Sequence, residues 1–257
     1  MKNLQLPAFF LFFFLFSFSA VASPILKQTL FLSGTDNTHT KTWEFFCTSG
    51  RNSGVWSKIE VPSHWEQQGF GNYNYGRDYK TNGKNARFYD EKGMYKYQFK
   101  VPASMKGKIV QLVFEGSMTD TEVKINGKSA GDIHRGAFYR FKYDITSLLN
   151  YDQPNTLEVT VSKMSSDASV NNAERLADYW VFGGIYRPVF LEAKPIENIR
   201  QVSIDAKASG DFKMEIIADH IKKAKNIYVG IKDSKGNLIK EINQPIVEKD
   251  SFVLINS

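Results

Sequence analysis

The sequence predicts an all-β chain: a sandwich of two antiparallel sheets, followed by a second, smaller and partial sandwich. Three observations carry that expectation. Apolar and polar residues alternate with period two along many short segments, turn-forming residues separate those segments, and no segment sustains the 3.6-residue period of an amphipathic helix.

The alternation is plain in Tyr95, Tyr97, Phe99 and Val101 against Lys96, Gln98 and Lys100, the pattern of a half-buried strand. Leu157, Val159 and Val161 alternate with Glu158 and Thr160 in the same way. Val123 and Ile125 alternate with Glu122 and Lys124, and Asn126-Gly127 then supplies the positive-φ pair of a tight hairpin turn. Tyr139, Phe141 and Tyr143 read as another strand, after which Thr146 is placed to cap a short helical turn over Leu148 and Leu149. Strands of this length, spaced by turn signals, fit two facing antiparallel sheets.

Near Pro188 to Pro195 the texture changes. Val189-Phe190-Leu191 reads as a closing strand and Lys194-Pro195 as a linker. Val202 and Ile204, Phe212 and Met214, and Ile227, Val229 and Ile231 then mark further strands. The turn Asp233-Ser234-Lys235-Gly236 leads into Leu238 and Ile239, and Phe252 to Ile255 forms a last strand. About five strands are fewer than the seven of a complete immunoglobulin-like sandwich. The expected organisation is therefore residues 23–195 for the first sandwich and residues 196–257 for an incomplete second one. Ser257 falls inside strand-like sequence, which predicts a fragment of a longer chain.

The first residues set the expected compartment. Met1-Lys2-Asn3 is a short positive start, Leu4 to Val21 is nearly all apolar, and Ala20-Val21-Ala22 is a small-x-small cleavage signal. This is the pattern of a secretory signal peptide over residues 1–22, delivering the chain to the periplasm or the exterior. No later apolar run approaches the length that spans a bilayer, so no membrane association is expected after its removal. The lone cysteine, Cys47, rules out an internal disulfide and reads as a buried thiol. The net charge is +6, yet the lysines are scattered and alternate with apolar residues. Only Lys222, Lys223 and Lys225 cluster, too few for a nucleic-acid footprint, so a solvated surface is expected and no nucleic-acid partner.

Motifs for several chemistries are missing. The four histidines, His39, His64, His134 and His220, are isolated and make no metal-ligand pair. Gly69-Phe70-Gly71 lacks the third glycine of a phosphate loop, and no Gly-x-Ser-x-Gly elbow occurs. No cofactor, metal or catalytic residue is expected.

Two segments carry ligand-type chemistry. Gly69 to Lys80 reads Gly-Phe-Gly-Asn-Tyr-Asn-Tyr-Gly-Arg-Asp-Tyr-Lys, combining turns, aromatic faces and hydrogen-bonding groups. Sugars present polar edges and apolar CH faces, so aromatic platforms beside Asn, Asp and Arg suit them. The alternative is a long loop whose tyrosines pack over the sandwich. In Glu174 to Trp180, Asp178 stands beside Tyr179 and Trp180 just before Gly183-Gly184. It reads either as a ligand contact at a sheet edge or as an Asp that holds a turn.

Five landmarks across residues 59–192 follow a common order: Ile59-Glu60-Val61-Pro62-Ser63-His64-Trp65, Tyr95-Lys96-Tyr97-Gln98-Phe99, Val123-Lys124-Ile125-Asn126-Gly127-Lys128, Phe141 to Thr146, and Gly183-Gly184-Ile185-Tyr186-Arg187. Together they resemble family 2 glycoside hydrolases, the group of β-galactosidases, β-glucuronidases and β-mannosidases. The resemblance implies a jelly-roll (galactose-binding-like) sugar-binding domain, then an immunoglobulin-like domain, then a catalytic (β/α)8 barrel. A barrel takes about 250 residues, far more than residues 196–257, which read as strands, so none is expected here.

In the family, two glutamates on the barrel act about 5–5.5 Å apart in a retaining mechanism. No glutamate of this chain matches those motifs. What the resemblance does imply is that Asp178 occupies the position of an Asp that shapes the sugar subsite in β-galactosidases. Those enzymes also read Tyr-Thr-Asn where this chain has Tyr75-Gly76-Arg77, a departure that turns the expectation away from galactose and, through Arg77, toward an acidic or substituted sugar. The expected substrate-binding residues are Asn74, Tyr75, Arg77, Asp178 and Trp180.

The expected function is the carbohydrate-binding part of an exported retaining glycosidase, inactive alone. In the full-length parent its intramolecular partner is the missing barrel. A free-standing carbohydrate-binding module or lectin, and a structural β-sandwich without a ligand, are the alternatives.

Overall fold

The computed structural model describes residues 27–77, 91–246 and 252–256, the last as backbone. The signal peptide expected over residues 1–22 and the last three residues of the Gly69–Lys80 segment lie outside the described residues.

The first sandwich contains β1 (Gln28–Phe31), β2 (Lys41–Cys47), β3 (Trp56–Val61), β4 (Asn74–Tyr75), β5 (Lys92–Phe99), β6 (Ile109–Phe114), β7 (Asp120–Ile125), β8 (Lys128–Ser129), β9 (Phe141–Asp144), β10 (Asn155–Ser162), β11 (Trp180–Val181) and β12 (Val189–Lys194). Among the described residues these form a four-stranded sheet, β1-β12-β6-β9, facing a six-stranded sheet, β3-β2-β5-β10-β7-β8, with β4 and β11 paired as a separate ribbon. Every pairing is antiparallel. The chain is thus all-β, with a jelly-roll sandwich first.

Period-two alternation decides what fills it. Trp43 and Phe45 of β2, Ile59 and Val61 of β3, Val123 and Ile125 of β7 and Leu157 and Val159 of β10 are almost fully buried. With Leu112 and Phe114 of β6 and Leu191 of β12 they make one contiguous core. Burying each such side chain stabilises by about 1.5–3 kcal/mol. Cys47 is buried at the rim of that core, and burial pushes its thiol pKa up, so it is a packed thiol with little thiolate.

The turn at Asn126-Gly127 has φ of 53° and 76°, as the hairpin signal requires. Two local expectations are corrected. Thr146 lies inside the short helical turn Thr146–Leu148 and does not cap it. Its hydroxyl instead donates to Asp144 Oδ1 (2.6 Å) and accepts from Val110 N (2.9 Å), so its oxygen is engaged by β6 and not by the turn's own amides. Tyr139 lies before β9 and is exposed, since pairing with β6 begins only at Phe141. A helical segment over Ala168–Arg175 was not expected. It is too short to show a period, and Asp167 caps it through Ser169 N at 2.8 Å.

Further along are β13 (Asn198–Ala206), β14 (Phe212–Asp219), β15 (Asn226–Lys232), β16 (Leu238–Pro245) and β17 (Phe252–Asn256). They form a three-stranded sheet, β13-β14-β17, and a two-stranded sheet, β15-β16. Ile216, Ile227 and Val229 make a small core between them. Val202 and Ile204 lie opposite Ile216 and Met214 in the β13–β14 register yet remain 45% and 59% exposed. This is a partial immunoglobulin-like sandwich, and no (β/α)8 barrel occurs among the described residues. Nor is any helix there long and apolar enough to cross a membrane.

Candidate functional site

The five residues expected to contact a ligand come from two segments a hundred residues apart, and the fold brings them together. β4 and β11 pair antiparallel, with Trp180 opposite Tyr75 and Val181 opposite Asn74. The next residues along each strand meet at the tip, where Arg77 Nη1 lies 3.5 Å from Asp178 Oδ2. Gly76 permits this close approach: its amide donates to Tyr179 O (2.8 Å), and a Cβ there would fall 2.2 Å from Ala177 O.

The ribbon carries a chain of aromatic rings. Tyr75 meets Trp180 edge-on at 5.5 Å, Tyr73 meets Trp180 at 6.1 Å and Phe182 at 5.8 Å, and the Arg51 guanidinium covers Tyr73 at 4.9 Å. Trp180, Arg77 and Asp178 are each about half exposed. Asn74 and Tyr75 are half-buried, and the Asn74 side-chain oxygen is enclosed with no donor among the described groups. The arrangement offers two ring faces, a carboxylate and a guanidinium on one accessible edge.

Beneath the ribbon lies a feature the sequence reading missed. Lys163 is fully buried, and its Nζ lies 2.8 Å from Glu66 Oε1, 2.8 Å from Glu91 Oε1 and 2.5 Å from Asn72 O. Each carboxylate passes the constraint on to a root of the ribbon. Glu91 accepts from Asn72 N at 2.9 Å, two residues before β4. Glu66 accepts from Gly183 N at 3.0 and 3.1 Å, two residues after β11. One ammonium therefore fixes both roots. Burial raises the Glu66 pKa, opposed by Lys163.

Arg175 is also fully buried, and one of its amino groups donates to Phe182 O. Burial lowers its pKa. Trp65 closes the floor: a Cβ on Gly183 would lie 2.0 Å from its ring, so only glycine lets the chain pass. His64 packs between Phe182 (5.0 Å) and Tyr186 (5.2 Å, nearly parallel), and burial drops its pKa to about 4, leaving the imidazole neutral at pH 7. A hollow of about 730 Å3 opens beside it, bordered by Asp36, Glu60, Gln68 and Arg187.

The missed residues had a sequence signal. Lys163 continues the inward parity of Leu157, Val159 and Val161, and Glu91 that of Gly93 and Tyr95. Extending the β5–β10 register sets the two opposite each other, as the Lys163 N to Glu91 O hydrogen bond of 3.1 Å shows.

These elements define the class of jelly-roll β-sandwiches, here with an aromatic, charge-bearing ribbon. The chain belongs to glycosyl hydrolases family 2, whose sugar binding domain matches residues 46–195. It is 29% identical over 208 residues to a β-galactosidase of Clostridium acetobutylicum, an alignment covering 76% of this chain and 22% of that enzyme. To a β-glucuronidase of Bacteroides fragilis it is 31% identical over 189 residues, 71% of this chain and 22% of that one. The crystal structure of a Bacteroides uniformis β-glucuronidase superposes with a TM-score of 0.64 at 22% identity, covering 90% of this chain and 27% of that one. The chain thus spans about a quarter of the length of these relatives, and the structural likeness speaks for the fold.

Proposed function

We propose that this chain is the sugar-binding portion of an exported retaining glycosidase, and that its β4–β11 ribbon forms one wall of the sugar subsite. The observation that carries the reading is the ribbon itself: Tyr75, Trp180, Arg77 and Asp178 share one accessible edge on a buried ionic root. Trp180 and Tyr75 offer faces to the CH side of a pyranose, and Asp178 accepts from its hydroxyls. Arg77, held against Asp178, favours a sugar bearing an acidic or other acceptor substituent.

Hydrolysis itself is assigned to a (β/α)8 barrel in a longer parent, where two carboxylates would stand about 5–5.5 Å apart. Glu66 and Glu91 are the carboxylates nearest the ribbon's root, and both are sealed from solvent on Lys163, so neither meets a substrate. In this reading residues 23–195 form the sugar-binding domain, residues 196–257 belong to an immunoglobulin-like spacer, and residues 1–22 direct export. Purified chain offered a panel of chromogenic β-glycosides is expected to release no chromophore. Hydrolysis that persists after Asp178→Asn would overturn the proposal. Expression in a Gram-negative host tests export: the mature N-terminus is expected at Ser23, in the periplasm or the medium.

A further inference from the structure

The outward face of the six-stranded sheet holds an arrangement that the ribbon does not use. Cross-strand register aligns Lys58, Glu44, Lys96, Glu158 and Lys124 in one row over β3, β2, β5, β10 and β7, with charge alternating at every step. Lys96 Nζ lies 3.6 Å from Glu158 Oε1, and Lys124 Nζ lies 3.2 Å from Glu122 Oε1. The neighbouring row runs Trp56, Phe46, Met94, Thr160 and Glu122 in the same register.

Trp56 is the large aromatic ring that this face presents to solvent. Its indole is 47% exposed. It is nonetheless held in place: Phe46 leans on it at 5.6 Å, and the Lys96 ammonium stands 4.9 Å over the ring. Two shallow hollows flank Lys96. One, of about 270 Å3, lies between Trp56, Met94, Glu122 and Thr160; the other, of about 230 Å3, lies between Thr42, Lys58, Gln98 and Thr156.

Charge decides the class of ligand. Each carboxylate of the row has ammonium neighbours, so the face presents no unmatched field for a nucleic acid or an acidic polymer. Exposed ion pairs are worth only about 0–1 kcal/mol, so hydroxyl groups exchange for them at little cost. An exposed, fixed ring beside alternating donors and acceptors suits a neutral pyranose, whose CH face is apolar and whose edge both donates and accepts. Strands spaced about 4.8 Å apart make the row from β3 to β7 roughly 19 Å wide, which suits an oligosaccharide better than a single sugar.

We propose that this face is a second glycan-binding surface, taking a neutral oligosaccharide across the strands, with one ring replacing the Lys96 ammonium over Trp56 and its hydroxyls on the displaced Lys96, Glu122 and Thr160. It lies on different elements from the ribbon and does not depend on the reading given to that site.

The four tryptophans supply the test, because Trp43 and Trp65 are buried whereas Trp56 and Trp180 are exposed. The 15N-labelled chain is titrated with cellotetraose, xylotetraose, mannotetraose, maltotetraose and tetragalacturonate, and the four indole N–H signals are followed. A neutral tetrasaccharide is expected to move the Trp56 signal saturably. Followed through the Thr160 backbone amide, which every variant retains, Trp56→Ala is expected to weaken that binding about tenfold or more, as loss of a central aromatic contact does, and Lys96→Met severalfold. Unmoved Trp43 and Trp65 signals show that the variants are folded. The proposal is overturned if the Trp56 signal stays still with every glycan, if only the Trp180 signal moves, or if tetragalacturonate binds best. It is equally overturned if the Trp56 signal moves with protein concentration alone, which would make the face a contact between copies.

Discussion

The two ends of the β4–β11 ribbon are each held by opposite charges, and they differ in every physical respect. At the tip, Arg77 and Asp178 meet at 3.5 Å with more than half of each side chain in water. At the root, Lys163 meets Glu66 and Glu91 at 2.8 Å with no exposure at all. An exposed pair is screened and contributes about 0–1 kcal/mol, so exchanging it for contacts with a ligand costs little. A buried cluster gains little net stability over apolar packing, yet removing one member strands the others without partners. The contrast separates two tasks: the root fixes where the ribbon sits, and the tip stays adaptable.

The largest effect expected is at the root. Lys163→Met leaves Glu66 and Glu91 buried without their ammonium and is expected to lower unfolding stability by about 3–5 kcal/mol, read by urea denaturation followed by circular dichroism. A loss below about 1 kcal/mol would mean that the root is not rigidly closed. Gly183→Ala forces a methyl into the Trp65 ring and is expected to cost about 1–3 kcal/mol, as overpacking does.

His64 gives a pH signature. Its pKa falls from 6.5 to about 4 on folding, so its contribution is complete above pH 6.5 and is lost as pH falls toward 4. The raised pKa of Glu66 acts with the opposite sign, its share diminishing as pH rises above the ordinary 4.5. The difference between wild type and His64→Phe isolates the histidine. It is expected to change by about 2–3 kcal/mol between pH 7 and pH 4, and parallel stability curves would exclude the assignment. At the tip, Arg77→Ala is expected to change stability by less than about 1 kcal/mol, while altering which glycosides bind.

Much of this was legible in the sequence, for a physical reason. The alternation of β5, β7 and β10 records which face is buried, and Asn126-Gly127 records a local backbone requirement, so both survive without knowledge of the fold. The chemistry of the five ribbon residues makes them candidates without the fold, but their pairing is not legible: Trp180 opposite Tyr75 is a contact across a hundred residues that two-residue strands cannot announce. Lys163 and Glu91 show a different failure. Their parity pointed inward, but a charged residue at a strand end is ordinarily taken to reach solvent, and only the register opposing the two makes their burial tolerable. Arg175 sits in a helical segment too short to display a period.

The central claim is that a sugar meets the adaptable tip while the root does not move. Titrating the 15N-labelled chain with methyl β-glycosides and β-glucuronides tests it in one experiment. The account predicts a saturable shift of the Trp180 indole signal with at least one sugar, while the Asn72 and Gly183 amides, bonded to Glu91 and Glu66, stay in place. A Trp180 signal unmoved by every sugar, or one that shifts only together with those two amides, would contradict it.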